Sequence, residues 1–349
     1  MSIPADRWQV GPHNRHAYVH VSEVVATVPV PCSAPRPLPR APADLHVELD
    51  PYCDGIAVAR DGVLVYERYG GEMHEASLHL SQSVAKSVLG LTAGIVGVDP
   101  DTPVVELVPE VAHSGYAGAT VRHLLDMTAA TVFVEDYRSF VAYDAACGWH
   151  PPVPGSPNTI LEYLATIGPA PWAHGERFHY ASPNTDLLGI VVERAAGAPL
   201  ATVIAERLWA PLGAERGAEL AVDPAGTAVI SGGFCATLRD YLRLGLLVAE
   251  RGRGIVPGHW IDALGATPIR HPTTDERAAG YANQWWRRDG RVTARGIHGQ
   301  CVAVDPGGTV VAILSSWPDA VDEARDAAQR ALIDRLTPPR PCTSPAAPS

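Results

Sequence analysis

The chain has 349 residues, 46% hydrophobic and 19% charged, a balance ordinary for a compact globular protein. Its formal net charge of -11 argues against nucleic acid or an anionic membrane as the main partner, since both select positive surface. No apolar run reaches the length of a membrane span, and residues 1–16 lack the basic start and apolar stretch of a secretory signal, so the sequence reads as cytoplasmic.

Residues 1–45 contain VPVPCSAPRPLPRAP, too rich in proline for helix or central strand, and read as an extended leader over the body. Residues 46–80 begin a sheet: two alternating apolar runs between Gly55 and Gly70 flank Asp61-Gly62, a strong hairpin signal. Residues 81–269 are mainly helical, with VRHLLDMTA, NTILEYLATIG, NTDLLGIVVERAAG, LATVIAERLWAPLG and TLRDYLRLGLLVAE all fitting helical period. Residues 270–336 return to strand, with hairpins at Asp289-Gly290 and from Asp305 to Gly308, then a helix from about Ala320 to Leu336. Residues 337–349 form a tail. The expected class is therefore α+β, an antiparallel sheet built from both chain ends around a helical region, with a cleft at their junction. The six cysteines form no CxxC pair and read mostly as small buried hydrophobes.

Lysine and arginine together number 27, yet Lys86 is the only lysine. It lies in LSQSVAKSVLGLTAGIVG (80–97), an apolar stretch with no other Asp, Glu, Lys or Arg between Glu75 and Asp99. A helix apolar on all sides is buried, and burial lowers a lysine pKa toward neutrality. Ser83 lies one turn earlier on the same face, near first-turn amides that can stabilise an oxyanion. A neutral lysine beside a serine is a base beside a nucleophile. The alternative is a serine that caps the helix and a lysine that reaches the surface. Two further segments bear on the choice. Tyr180 and Ser182 precede a helix, and a tyrosine facing a lysine can exchange protons with a nucleophile or leaving group, although packing and capping would explain both residues equally. ARGIHGQCVAVDP (294–306) reads as a strand with a Gly-Ile-His-Gly kink, the mark of a close backbone approach or of a plain bulge.

Ser83-x-x-Lys86 followed by Tyr180-Ala181-Ser182 resembles the first two motifs of the penicillin-binding-protein and class C β-lactamase superfamily, including its family VIII carboxylesterases. VRHLLDMTAATVFVEDY, YASPNTDLLGIVVERAAG, SGGFCATLRDYLRLG, QWW and IHGQ-VDP resemble, in order, segments of the 6-aminohexanoate-dimer hydrolases, nylon-oligomer amidases on this fold. The resemblance spans residues 50–335. It implies a β-lactamase/transpeptidase-like fold, Ser83 as nucleophile, Lys86 as base, Tyr180 as proton shuttle, and an oxyanion hole from the amides of Ser83 and Ile297. No cofactor or metal is implied. Tyr137 would contact the scissile amide, Trp285 and Trp286 would cover the substrate, and Ser182 and His298 would border it. The slot that carries Lys-Thr-Gly in β-lactamases holds no lysine here, so Arg295 or His298 would have to meet a β-lactam carboxylate.

The reading is a serine hydrolase that forms an acyl-enzyme on a small amide or ester. Its rivals are an acyltransferase that gives the same acyl group to an amine or alcohol, and a non-catalytic binding protein of the same fold. The sequence holds neither an HExxH zinc helix nor a Gly-x-Ser-x-Gly elbow.

Overall fold

The structure is a computed structural model that describes residues 3–137, 140–268 and 278–337. Five helices organise the site: α1 (Asn14–Ala17), α2 (Val84–Val96), α3 (Ser182–Ala196), α4 (Leu238–Ala249) and α5 (Glu323–Leu336). The strands are β1 (Thr27–Val30), β2 (Cys53–Arg60), β3 (Val63–Tyr69), β4 (His79–Leu80), β5 (Ala218–Ala221), β6 (Phe234–Ala236), β7 (Ala278–Ala282), β8 (Trp285–Arg288), β9 (Arg291–Gly296), β10 (Gln300–Val304) and β11 (Thr309–Ser315).

Seven strands form an antiparallel sheet in the order β3-β2-β11-β10-β9-β8-β7, so the two chain ends meet where β2 pairs with β11. The period-2 alternation of β2 serves both faces of this sheet. Ile56 and Val58 pack with Leu332, Ile333 and Leu336 of α5. Ala57 and Ala59 join the main core on the opposite face, where α4 and the helical region lie. Thr237 starts α4 by accepting a hydrogen bond from the Asp240 amide.

The expected hairpins form at Asp61-Gly62, with φ of +49° and +80°, and at Asp289-Gly290, with +49° and +76°. A third tight turn at Asn283-Gln284 has φ of +50° and +66° without any glycine. Bonds from the surrounding structure hold it there: the Asn283 amide donates to Asp126, and the Gln284 side chain donates to the Leu124 carbonyl.

Two expectations need correction. The leader is extended only from residue 31 onward. Before that it forms α1 and β1, and β1 joins β5, β6 and β4 in a second, four-stranded sheet. Proline is tolerated in β1 because that strand is an edge. The Gly-Ile-His-Gly segment is a one-turn connection between β9 and β10 rather than a kink within one strand. The tail beyond Thr337, with Cys342, lies outside the described residues. Among those described, no single helix is long and apolar enough to cross a membrane.

Candidate active site

Strand β4 delivers the chain to the site, and the Ser81 amide is fixed by the Phe234 carbonyl. Gln82 then turns through φ +47°, its side-chain amide donating to the Tyr18 hydroxyl at 2.9 Å. Ser83 follows at the N-cap of α2. The expectation placed it in the first turn, a difference of one residue at a helix end. The amides of Val84, Ala85 and Lys86 donate to the carbonyls of Ser81, Gln82 and Ser83, and no bond from the Ser83 amide is recorded among the described residues.

Helix α2 is buried along its first three turns, and a Cβ on Gly90 would stand 2.1 Å from the Asn283 carbonyl oxygen. Lys86 is therefore enclosed, at 1% exposure, and does not reach the surface. Its Nζ donates to Ser83 Oγ at 2.9 Å, Ser182 Oγ at 3.0 Å and the Ser231 carbonyl at 2.6 Å. Desolvation lowers its pKa to about 8, against the opposing pull of the Glu135 and Asp186 charges.

Those two carboxylates stand one bond removed from the lysine. Glu135 accepts from the amide and the hydroxyl of Ser182, at 2.7 and 2.6 Å, and burial raises its pKa. Asp186 accepts from the Tyr143 hydroxyl and, at 2.8 Å, from the Ser231 amide; burial raises it to about 6. Tyr180 lies with its ring 5.3 Å from Lys86 Nζ, close enough to the Ser83 side chain to feel it. Burial raises its pKa far above the ordinary phenol range, so it stands as a neutral hydroxyl.

At Gly296, β9 comes closest to the nucleophile. A Cβ there would lie 2.6 Å from the Ser81 carbonyl oxygen and 3.0 Å from the Ser83 amide nitrogen, so glycine is required. Ile297 is next and lines the cleft together with Ser83. His298 adopts φ +59° and is buried, with Nδ1 2.6 Å from the Trp317 carbonyl. Burial lowers its pKa to about 4, so at neutral pH it is an uncharged imidazole.

A cleft of about 260 Å³ opens over this floor and is lined by Ser83, Ser182, Tyr137, Ile297 and His298, among others. The structure thus gathers five expected residues around one cavity, with Lys86 directly beneath. It does not gather Trp285, Trp286 or Arg295 there. Trp285 is buried at 1%, donates to the Ser87 carbonyl and packs into the core, so it cannot cover a substrate. Trp286, its neighbour on the opposite strand face, stacks on Tyr180 at 5.3 Å rather than lining this cavity. Arg295 faces away from the cleft, bound to Asp326 of α5, and cannot take the place of the missing lysine.

Sequence reasoning missed four contributors. Glu135 lies two residues before Tyr137, and only the fold brings its carboxylate to Ser182. Asp144 also lines the cleft, with a pKa raised by burial to about 7. Ser231 and Asp186 carry no motif of their own. The leader also supplies wall: Asp6, Arg7, Trp8, Gln9 and Val10 all line the cavity. Trp8 is anchored by a bond from its indole to the Trp149 carbonyl, at 2.9 Å.

The Beta-lactamase family model matches residues 53–335. The 6-aminohexanoate-dimer hydrolase of Paenarthrobacter ureafaciens is 34% identical over 348 residues, covering 90% of this chain and 88% of that protein. A solved structure from Bacillus anthracis, named as a candidate 6-aminohexanoate-dimer hydrolase, superposes with a TM-score of 0.84 at 22% identity over 96% of each chain. EstCE1, named as a hydrolase with promiscuous acyltransferase activity, gives 0.63 at 17% identity, covering 82% of this chain and 94% of its own.

Proposed function

Because the chain belongs to the β-lactamase family, we propose that it is a serine hydrolase that cleaves a small linear amide or ester through an acyl-enzyme on Ser83. The observation that carries this reading is Lys86: enclosed, 2.9 Å from Ser83 Oγ, and held at a pKa of about 8. Near neutral pH an appreciable fraction of such a lysine is unprotonated, which a surface lysine is not.

The substrate carbonyl sits over Ser83 with its oxygen directed at the amides of Ser83 and Ile297. Neutral Lys86 accepts the Ser83 proton as Oγ attacks, and the two amides stabilise the charge that develops on oxygen. Tyr180, a neutral phenol beside Lys86 and Ser83, passes a proton to the departing nitrogen or oxygen and is reprotonated from Lys86. The C–N or C–O bond breaks, and the acyl group remains on Ser83. Water attacks the ester by the reverse relay, releasing the acid and restoring the serine.

The relative of known name at 34% identity acts on a 6-aminohexanoate dimer, which supports an amide substrate. A β-lactam fits less well. Arg295 is turned toward Asp326, His298 is neutral, and the one lysine lies below the floor. Among the described residues, Arg7, exposed on the cavity wall, is the only arginine lining the cleft.

Treatment with a fluorophosphonate, followed by peptide mapping, tests the assignment. The adduct is expected on Ser83, and Ser83→Ala should abolish both labelling and hydrolysis of p-nitrophenyl esters. Labelling that persists in Ser83→Ala would sink the proposal. Adding amines or alcohols to the same assay distinguishes hydrolysis from acyl transfer by the products formed.

A further inference from the structure

Four side chains from two segments meet at the surface: His16 on α1, His20 and Glu23 shortly after it, and Glu72 in the loop after β3. The two imidazoles stack with centroids 4.2 Å apart and planes 24° from parallel. Each ring lies between the two carboxylates. Glu72 Oε2 is 2.8 Å from His16 Nδ1 and 3.4 Å from His20 Nε2. On the opposite edge, Glu23 is 3.7 Å from His16 Nε2 and 3.5 Å from His20 Nδ1.

A neutral imidazole has one N–H and one lone pair. The 2.8 Å contact pairs His16 Nδ1 with Glu72 and leaves His16 Nε2 on the side of Glu23, while His20 stands about equally far from the two carboxylates, at 3.4 and 3.5 Å. Two ring nitrogens and one carboxylate therefore converge on a single point at the surface.

We propose that His16 Nε2, His20 Nδ1 and the Glu23 carboxylate bind one divalent transition-metal ion of the zinc type, with Glu72 orienting both rings. The donor atoms of His16, His20 and Glu23 lie within 4.8 Å of one another. His16 Nε2 is 3.7 Å from Glu23 Oε2 and His20 Nδ1 is 3.5 Å from Glu23 Oε1, each near the roughly 3.3 Å expected between ligands of a tetrahedral ion with bonds of about 2.0–2.1 Å. Imidazole with carboxylate suits zinc, nickel or copper better than magnesium or calcium. A carboxylate that receives the outer N–H of each metal-bound histidine is the usual supporting arrangement. Glu72, contacting both rings, would also tie the leader to the loop after β3 of the main sheet. Asn14 on α1 donates to the Trp317 carbonyl at 2.8 Å, and Tyr18, just beyond it, holds Gln82 beside the nucleophile.

The test uses the full chain, stripped with EDTA, titrated with zinc chloride by calorimetry and with cobalt chloride by visible absorption. One equivalent should bind and raise the melting temperature. Cobalt should show d–d bands without a thiolate charge-transfer band, which separates this site from the cysteines. Glu72→Gln should weaken binding about 10- to 100-fold, the usual scale for an outer carboxylate. Glu23→Gln, and His16→Ala combined with His20→Ala, should remove the equivalent. Absence of binding, a thiolate band, or unchanged affinity in Glu23→Gln and in the double variant would each overturn the proposal. None of these readouts depends on Ser83 chemistry.

Discussion

Two buried cations, Lys86 and Arg239, show opposite ways of placing a charge inside this molecule. Arg239, in the first turn of α4, is 7% exposed and meets three carboxylates: Glu67 and Glu75 at 2.8 Å and Glu215 at 3.3 Å. Its hydrogen bond with Glu67 raises its pKa further. Burial alone would raise the Glu67 carboxyl, yet the bonds from Arg239 hold it below its ordinary range. Among the described residues, Lys86 touches no carboxylate. Its partners are two hydroxyls and a carbonyl, and the nearby acids, Glu135 and Asp186, are each reached through a serine. A guanidinium keeps its charge in either setting, and here three carboxylates compensate it, whereas a lysine with no directly paired carboxylate is left able to lose its proton. Residue type and the placing of the charge partners together separate a structural cation from a base.

Exchanging the lysine's chemistry for the arginine's should break the site most severely. Lys86→Arg retains positive charge but forbids deprotonation, so acylation should fall by about 2 to 4 orders of magnitude, the usual scale for loss of a general base. Burst kinetics with an activated ester measures this directly. Near-normal acylation would make Lys86 a structural cation, like Arg239.

The reverse experiment addresses stability. Arg239→Ala leaves Glu67 and Glu215 without their shared partner in a largely buried setting. The cost should be roughly 3 kcal/mol, the lower part of the range for breaking a buried pair, because Glu75 remains well exposed. Urea denaturation reads it. Residual folded enzyme should still acylate at its normal rate, whereas an equal loss of activity per folded molecule would mean the two cations are coupled.

The parity of a strand explains much of what the sequence did and did not disclose. Ser83 and Lys86 were legible because helical spacing alone puts them on one face, and Asp61-Gly62 because a two-residue turn is local. Trp285 and Trp286 are adjacent in a strand, so one must face the core; which one follows from the glycine-free turn at Asn283-Gln284, which carries no sequence signal. Arg295 was misplaced for the same reason. It pairs with Cys301 on the face covered by α5, while Ala294 pairs with Val302 on the inner face. Glu135, Asp186 and Ser231 come from separate segments and meet only through the tertiary fold. The leader's part in the cleft was hidden because proline-rich composition describes backbone freedom and not where Trp8 docks.

Smaller effects should appear in the pH profile. With Lys86 at about 8, kcat/KM should climb about tenfold per pH unit below that value and level off above it, as the neutral amine becomes the dominant form. A profile flat from pH 5 to 9 would exclude Lys86 as the titrating base.

The finest test concerns the acid held one serine away. The Glu135 charge raises the Lys86 pKa, opposing desolvation, so removing that charge should lower it further. Glu135→Gln keeps an oxygen that can accept the Ser182 hydroxyl proton while deleting the charge. The ascending limb should therefore move toward lower pH by a fraction of a unit to about one unit, an ordinary shift for a screened charge at second-neighbour distance. The plateau rate can also fall, because Ser182 is held less firmly, but a loss of positioning lowers the plateau without moving the limb. The midpoint is thus the informative readout. A limb that stays in place would mean that Glu135, whose own pKa is raised by burial, is already protonated when Lys86 titrates. A limb that moves to higher pH would contradict the assigned sign and show that the serine-linked carboxylate does not act on the lysine through its charge.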